Sequence, residues 1–143
     1  MADITSANAI YTLIIPDVFP APQQLQGFAT DDAFDTDASD VVEARIGVDG
    51  IASYGFTPFL VTQTIHFQSD SPSIALMDAW LLAMQVAKQA FLANGTISAP
   101  ALHKNYILTN GVMTNIMQIP SAKKVFEPQT YTLKWQLIVP TPI

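Results

Sequence analysis

Two histidines, His66 and His103, and a run of carboxylates, Asp31, Asp32, Asp35, Asp37 and Asp40, are the side chains with which this chain could do chemistry. Closely spaced carboxylates invite a calcium reading. Aligning Asp35 and Asp37 with the first two ligand positions of an EF-hand loop puts Asp40 where the sharp turn needs glycine, and Ile46 where the bidentate glutamate should stand. The motif fails, leaving a looser calcium site or, more simply, a solvated acidic loop or a charged surface. Each histidine falls in an expected strand beside Thr or Lys and reads as a surface or satisfied structural residue. The chain has no cysteine, which excludes disulfides, thiolate zinc sites and a cysteine nucleophile. It has no phosphate-cradling glycine loop, no Gly-x-Ser-x-Gly elbow and no His-Glu-x-x-His pair. No catalytic residue, cofactor or metal is therefore expected.

The charges are sparse and unevenly placed. Of 143 residues, 50% are apolar and 13% charged, against about 25% charged in an ordinary soluble domain. Such a chain folds, and it has apolar surface to spare for a partner. Its net charge of −6 suits no nucleic-acid grip, because that grip rests on Lys and Arg neutralising phosphates. Residues 1–78 carry eleven acids and the single base Arg45, whereas residues 79–143 carry Glu127 alone against five lysines. The two halves are either ordinary solvated faces or the acidic and basic surfaces of a polymerising subunit, set to meet in adjacent copies. The start, Met-Ala-Asp-Ile-Thr, lacks a signal peptide's basic and apolar regions. No apolar run approaches the ~18–20 residues that span a bilayer. The expectation is one domain over residues 1–143, soluble, made inside the cell and without a membrane partner.

The elements that must position these residues are strands, one helix, then strands. Ala9–Ile15 is an apolar strand ended by Pro16, and Pro20 and Pro22 hold an extended connection. Gln24–Ala29 is a possible short strand, and 31–40 an acidic loop. Val41–Val48 alternates, with Val42, Ala44 and Ile46 on a core face and Glu43 and Arg45 opposite. Asp49-Gly50 reads as a two-residue type I′ turn into Ile51–Thr57. Phe59–Gln68 sets Thr62, Thr64 and His66 on one face. Ser71 and Pro72 open a helix expected to reach Ala93 and stop at Asn94-Gly95. Asn110-Gly111 reads as a second hairpin turn, and Lys123–Glu127 as a short strand. The final strand points Tyr131, Leu133, Trp135, Leu137 and Val139 one way. Three strands, Ala9–Ile15, Phe59–Gln68 and Ile107–Ile119, carry no charge; as sheet edges they would need another chain to pair with them.

In this order and texture the whole chain resembles the tail tube proteins of contractile-tailed bacteriophages. The most specific pieces are the hairpin Val41-Val-Glu-Ala-Arg-Ile-Gly-Val-Asp-Gly50-Ile-Ala-Ser-Tyr54, the helix start Asp70-Ser-Pro-Ser73 and the closing strand Tyr131-Thr-Leu-Lys-Trp-Gln-Leu-Ile138. The resemblance implies a mainly β fold with one long helix, an antiparallel sandwich or barrel that closes into a ring with neighbouring subunits. It further implies homohexameric rings stacked into a virion tail tube, with sheath, baseplate and terminator as partners. Phage DNA would pass through without specific binding. On that reading Glu43, Arg45, Thr62 and Thr64 are candidates for the lumen. Asp31, Asp32, Asp35, Asp37, Asp40 and Asp49 are candidates to meet Lys123 and Lys124 of a neighbour between rings. The alternatives are a single-ring terminator or baseplate component, the tube of a contractile injection system, or a small β-barrel enzyme or ligand-binding module.

Overall fold

The computed structural model describes residues 9–29 and 33–142. The apolar run at its start forms β1 (Ile10–Ile15), whose alternation buries Tyr11, Leu13 and Ile15. β2 (Phe19–Gln24) follows through a turn in which Val18 N–H donates to Ile15 O at 3.0 Å. Pro20 and Pro22 lie within β2, which is tolerated because β2 is a sheet edge and needs no donors on its outer side. The chain continues through β3 (Phe34–Thr36), β4 (Val42–Ile46), β5 (Ala52–Phe56), β6 (Val61–Phe67), helix α1 (Ser73–Ala87), β7 (Ala93–Ala99), β8 (Lys104–Ile116) and β9 (Gln129–Pro142). Seven strands make one antiparallel sheet in the order β2-β1-β7-β8-β9-β6-β3, while β4 and β5 pair only with each other.

The sheet curls until its two margins meet, as barrel closure requires. The Tyr11 ring of β1 packs edge-on against Phe34 of β3, with centroids 5.4 Å apart. The segment after β2 stitches the seam: Leu25 N–H donates to Tyr11 O at 2.8 Å, Gln68 N–H to Gly27 O at 2.8 Å, and Ala29 N–H to His66 O at 2.9 Å. Inside, Gln63 Oε1 accepts from the Tyr11 hydroxyl at 2.5 Å and from Trp135 Nε1 at 3.2 Å, tying three strands through one buried oxygen. Desolvation holds the Tyr11 hydroxyl far above the ordinary phenol pKa, so it remains a donor. It also raises Tyr131, to about 12, with the negative charge of Asp78 adding to the effect. Replacing Gln63 by Leu leaves two buried donors unpaired. At about 1–3 kcal/mol for each such group, Gln63→Leu is expected to lose roughly 3 kcal/mol in urea unfolding. Adding Tyr11→Phe should return part of that loss, and a single-variant loss below about 0.5 kcal/mol would refute the account.

Helix α1 lays Leu76, Met77 and Trp80 onto the same core. Its start is anchored as well as capped. Ser71 Oγ accepts from Ser73 N–H at 3.2 Å and donates to Gln26 O, and Ser73 Oγ accepts from Gln26 N–H at 2.7 Å. The helix ends earlier than its apolar pattern suggests. Lys88 takes the left-handed conformation (φ 56°) and its N–H closes on Met84 O. The Trp80 indole N–H then holds Phe91 O at 3.0 Å, and Ala93, Gly95, Ile97 and Ala99 turn inward as β7, between β1 and β8. The apolar run expected of one long helix thus holds the helix and the connection that leads from Lys88 to β7, with Ala93 alone already in the strand.

Further expectations are corrected by the topology. Asn110-Gly111 is no turn: β8 runs unbroken for 13 residues, with a bulge against β7 where Asn110 adopts φ 50°. His103 stands before the strand, at the left-handed end of a short 3₁₀ turn. Lys123–Glu127 forms no strand, only the bridge between Ala122 and Phe126. Past Trp135 the facing of β9 changes. Leu137 and Val139 are 53% and 40% exposed, and Ile138, opposite Leu108, is the half-buried one. The three uncharged strands are central, each flanked on both sides, so their lack of charge reflects burial within the ladder and calls for no second chain. The true edges, β2 with its prolines and β3 with three residues, are blunted.

Candidate functional site

Strand direction separates two exposed features. β6 leaves the β4–β5 hairpin at Val61 and ends at Phe67, opposite Gln129 at the start of β9, while β8 ends at Ile116 opposite Tyr131. The hairpin therefore springs from one end of the barrel, and loop 117–128, joining β8 to β9, caps the other.

The hairpin closes with a three-residue loop instead of the two-residue turn. Gly47 N–H donates to Ile51 O at 3.0 Å, Gly50 N–H to Gly47 O at 2.9 Å, and Gly50 alone takes positive φ, 82°. That is a type I turn followed by a left-handed residue, for which glycine is the low-cost choice. Asp49 Oδ1 accepts from Ile51 N–H at 3.1 Å and stiffens the tip. Pairing of Val42 with Phe56, Ala44 with Tyr54 and Ile46 with Ala52 sets these six on one face. The other face holds Glu43 and Arg45, joined at 2.8 Å. The expectation that Val42, Ala44 and Ile46 enter the core is wrong: every residue of both strands is exposed. Alternation reports that a face is apolar; it does not say which molecule covers it. An isolated two-stranded hairpin is marginal in water, so this one has the character of an arm awaiting a surface.

The opposite end is basic and apolar. Ala122 bridges to Phe126, Glu127 N–H donates to Ser121 O at 3.0 Å, and Gln129 Nε2 donates to Met117 O at 2.9 Å. This organised knuckle presents Lys123 and Lys124 together with exposed Ile119, Val125 and Phe126. A cavity of about 390 Å³ lies at the hairpin end, walled by Phe34, Gln63, Leu102, Tyr106 and Ile138, with Asp35 at its rim.

The candidate residues fall into separate groups. Thr62 and Thr64 lie on the outer face of the barrel, paired with Lys134 and Thr132. Glu43 and Arg45 are not on that sheet but on the arm. Asp35 is the middle residue of β3, Asp37 follows that strand, Asp40 precedes the arm and Asp49 is at its tip. Asp31 and Asp32 lie outside the described residues. His66 is structural in its contacts, with Nε2 3.3 Å from Asp35 Oδ2 and Nδ1 3.4 Å from Thr130 Oγ1, linking β3, β6 and β9. Among the described residues no group of three His, Cys, Asp or Glu is placed to hold a metal ion, and no helix is long and apolar enough to cross a membrane. The sequence reading missed Tyr54, Phe56, Val125 and Phe126 as surface features; the available signal was the high apolar fraction at low charge.

The described chain is thus an antiparallel barrel with one packed helix and a projecting hairpin. Residues 2–139 match the family model described as tail fiber protein gp32, and the chain belongs to that family. No curated protein sequence matches it. Among solved structures it is similar to a chain of the sheath–tube complex, in the extended state, of an extracellular contractile injection system, PVC. That match has a TM-score of 0.71 at 16% identity, covering 99% of this chain and 93% of the other. It is also similar to a chain of the tube-terminating cap of the anti-feeding prophage, with a TM-score of 0.62 at 12% identity, covering 100% and 93%. A chain of that particle's baseplate gives a TM-score of 0.58 at 12% identity, covering 99% and 97%. The resemblance to tail tube proteins of contractile-tailed bacteriophages holds, and so does the mainly β, one-helix fold it implies.

Proposed function

We propose that this protein is a non-enzymatic structural subunit of a contractile-type tail: one domain that closes into homohexameric rings and stacks as the inner tube through which DNA passes. The observation that carries the reading is the subunit's polarity. An acidic, amphipathic arm stands at one end and a basic, apolar knuckle at the other. Two different surfaces that complement each other make a head-to-tail contact, which repeats without limit along an axis instead of closing as a dimer. Asp37, Asp40 and Asp49 of one ring then face Lys123 and Lys124 of the next, a pairing that sets register more than affinity. Six-fold closure follows from the tail-tube resemblance. So do the partners: sheath around the tube, baseplate at one end, terminator at the other. The threonine-rich face of β6 and β9, bearing Thr62 and Thr64 with Lys134 as its one lysine, is the better candidate for a channel wall, since DNA slides past mostly uncharged polar side chains with little to hold it.

Negative-stain microscopy of the purified protein tests this reading. Tubes are expected; single rings would instead indicate a terminator or baseplate component, and featureless particles would refute assembly. Raising the salt should shorten the tubes, because exposed charge pairs are screened within about 8 Å at physiological ionic strength and 3 Å at 1 M. Tubes indifferent to salt would remove the carboxylate–lysine pairing from the account.

A further inference from the structure

We infer that the cavity at the arm-bearing end is the seat for the knuckle of the next copy. Phe126 enters it, and Lys123 and Lys124 lie along Asp35 and Asp37. The inference rests on the head-to-tail stacking proposed above and adds the place where one copy grips another.

Three observations converge on that occupant. In a polar stack the end that carries the cavity meets the end that carries loop 117–128, because β8 runs from the cavity wall at Tyr106 and Leu108 to Ile116, where that loop begins. The cavity's walls are apolar and its rim is acidic; the knuckle is apolar at Val125 and Phe126, 76% and 58% exposed, and basic beside them. The size also fits. At about 390 Å³ the cavity is near the lower limit of ligand pockets, about 300–1,000 Å³, and suits a side chain or two better than a large cofactor. Among the described residues neither Lys123 nor Lys124 forms an ion pair within its own chain. Each subunit carries one seat and one knuckle, the stoichiometry that a heterologous contact needs. A buried aromatic anchor ringed by charges is the usual anatomy of an interface centre.

The chain has no cysteine, so engineered thiols report without background. Leu102→Cys combined with Val125→Cys, treated with a short bis-maleimide after assembly, should give a denaturing-gel ladder at multiples of the chain mass. Neither single-cysteine variant should give one. Phe126→Ala should raise the protein concentration needed for polymer roughly 10- to 100-fold, without changing the unfolding midpoint of the dispersed subunit, and Phe126→Leu should restore most of the assembly. Tubes of the double-cysteine variant that give no ladder, with Phe126→Ala assembling normally, would overturn the seat while leaving stacking intact. A small apolar molecule filling the cavity in a map of the tube would do the same. If the wild-type chain forms no polymer at all, the seat and the stacking fall together.

Discussion

Replacing Tyr54 and Phe56 together by glutamate is expected to abolish polymer formation and leave the subunit folded. Both rings stand on the apolar face of the arm, 74% and 70% exposed, and neither belongs to the core. Removing them should therefore barely move the thermal midpoint of the dispersed protein. In an assembly that face is covered, and each large apolar side chain is worth about 1.5–3 kcal/mol on full burial. Losing two such anchors, and placing carboxylates where water is excluded, raises the concentration required for assembly by at least about 100-fold. Sedimentation velocity with circular dichroism decides the matter: folded, slowly sedimenting species are expected, and a variant that polymerises like the wild type would show that the arm covers nothing. Glu43→Gln with Arg45→Gln is the control. That pair is solvent-exposed, and exposed pairs contribute about 0–1 kcal/mol, so its loss should change assembly little.

Gly111→Ala should be the most damaging single methyl group in the barrel. A Cβ at this position would stand 2.3 Å from Cε3 and 2.5 Å from Cζ3 of Trp135, a fully buried ring locked by its hydrogen bond to Gln63. The ring has no room to yield. It sits between Gln63 and the β8 backbone, in a core as densely packed as an organic crystal. Overpacking of a rigid site costs about 1–3 kcal/mol and sometimes more, and this variant belongs at the upper end. For a chain of this length about 3 kcal/mol lowers the midpoint by roughly 6–12 °C. Gly55→Ala, with nothing within 4 Å of the added carbon, should be nearly neutral. Equal thermal unfolding of the two variants would mean that Trp135 is not held as described.

Much of the fold was legible because it rests on local rules. Alternation placed Tyr131, Leu133 and Trp135 inward, and Ser71-Pro72-Ser73 marked where the helix begins. The misreadings came where one residue type serves two purposes. Asn110-Gly111 carries the signature of a tight turn, but here asparagine supplies the left-handed bulge and glycine makes room for an indole. The run from Pro72 to Ala93 keeps an apolar stripe throughout, yet a hydrogen bond from Trp80 to Phe91 and the vacancy between β1 and β8 divide it. Both outcomes depend on side chains remote in sequence, which no window of ten residues contains.

The same distinction governs the exposed surfaces. By itself the sequence determined that strands stand on both sides of one helix, the separation of acidic from basic halves and the excess of apolar side chains over charge, because these are sums and short-range periodicities. Which strands are edges, that the apolar face of the arm is uncovered, and that arm and knuckle stand at opposite ends were decided only when the sheet curled and fixed its strand order. Burial depends on what lies across a barrel, and position along an axis depends on strand direction; neither is written in the spacing of neighbouring residues.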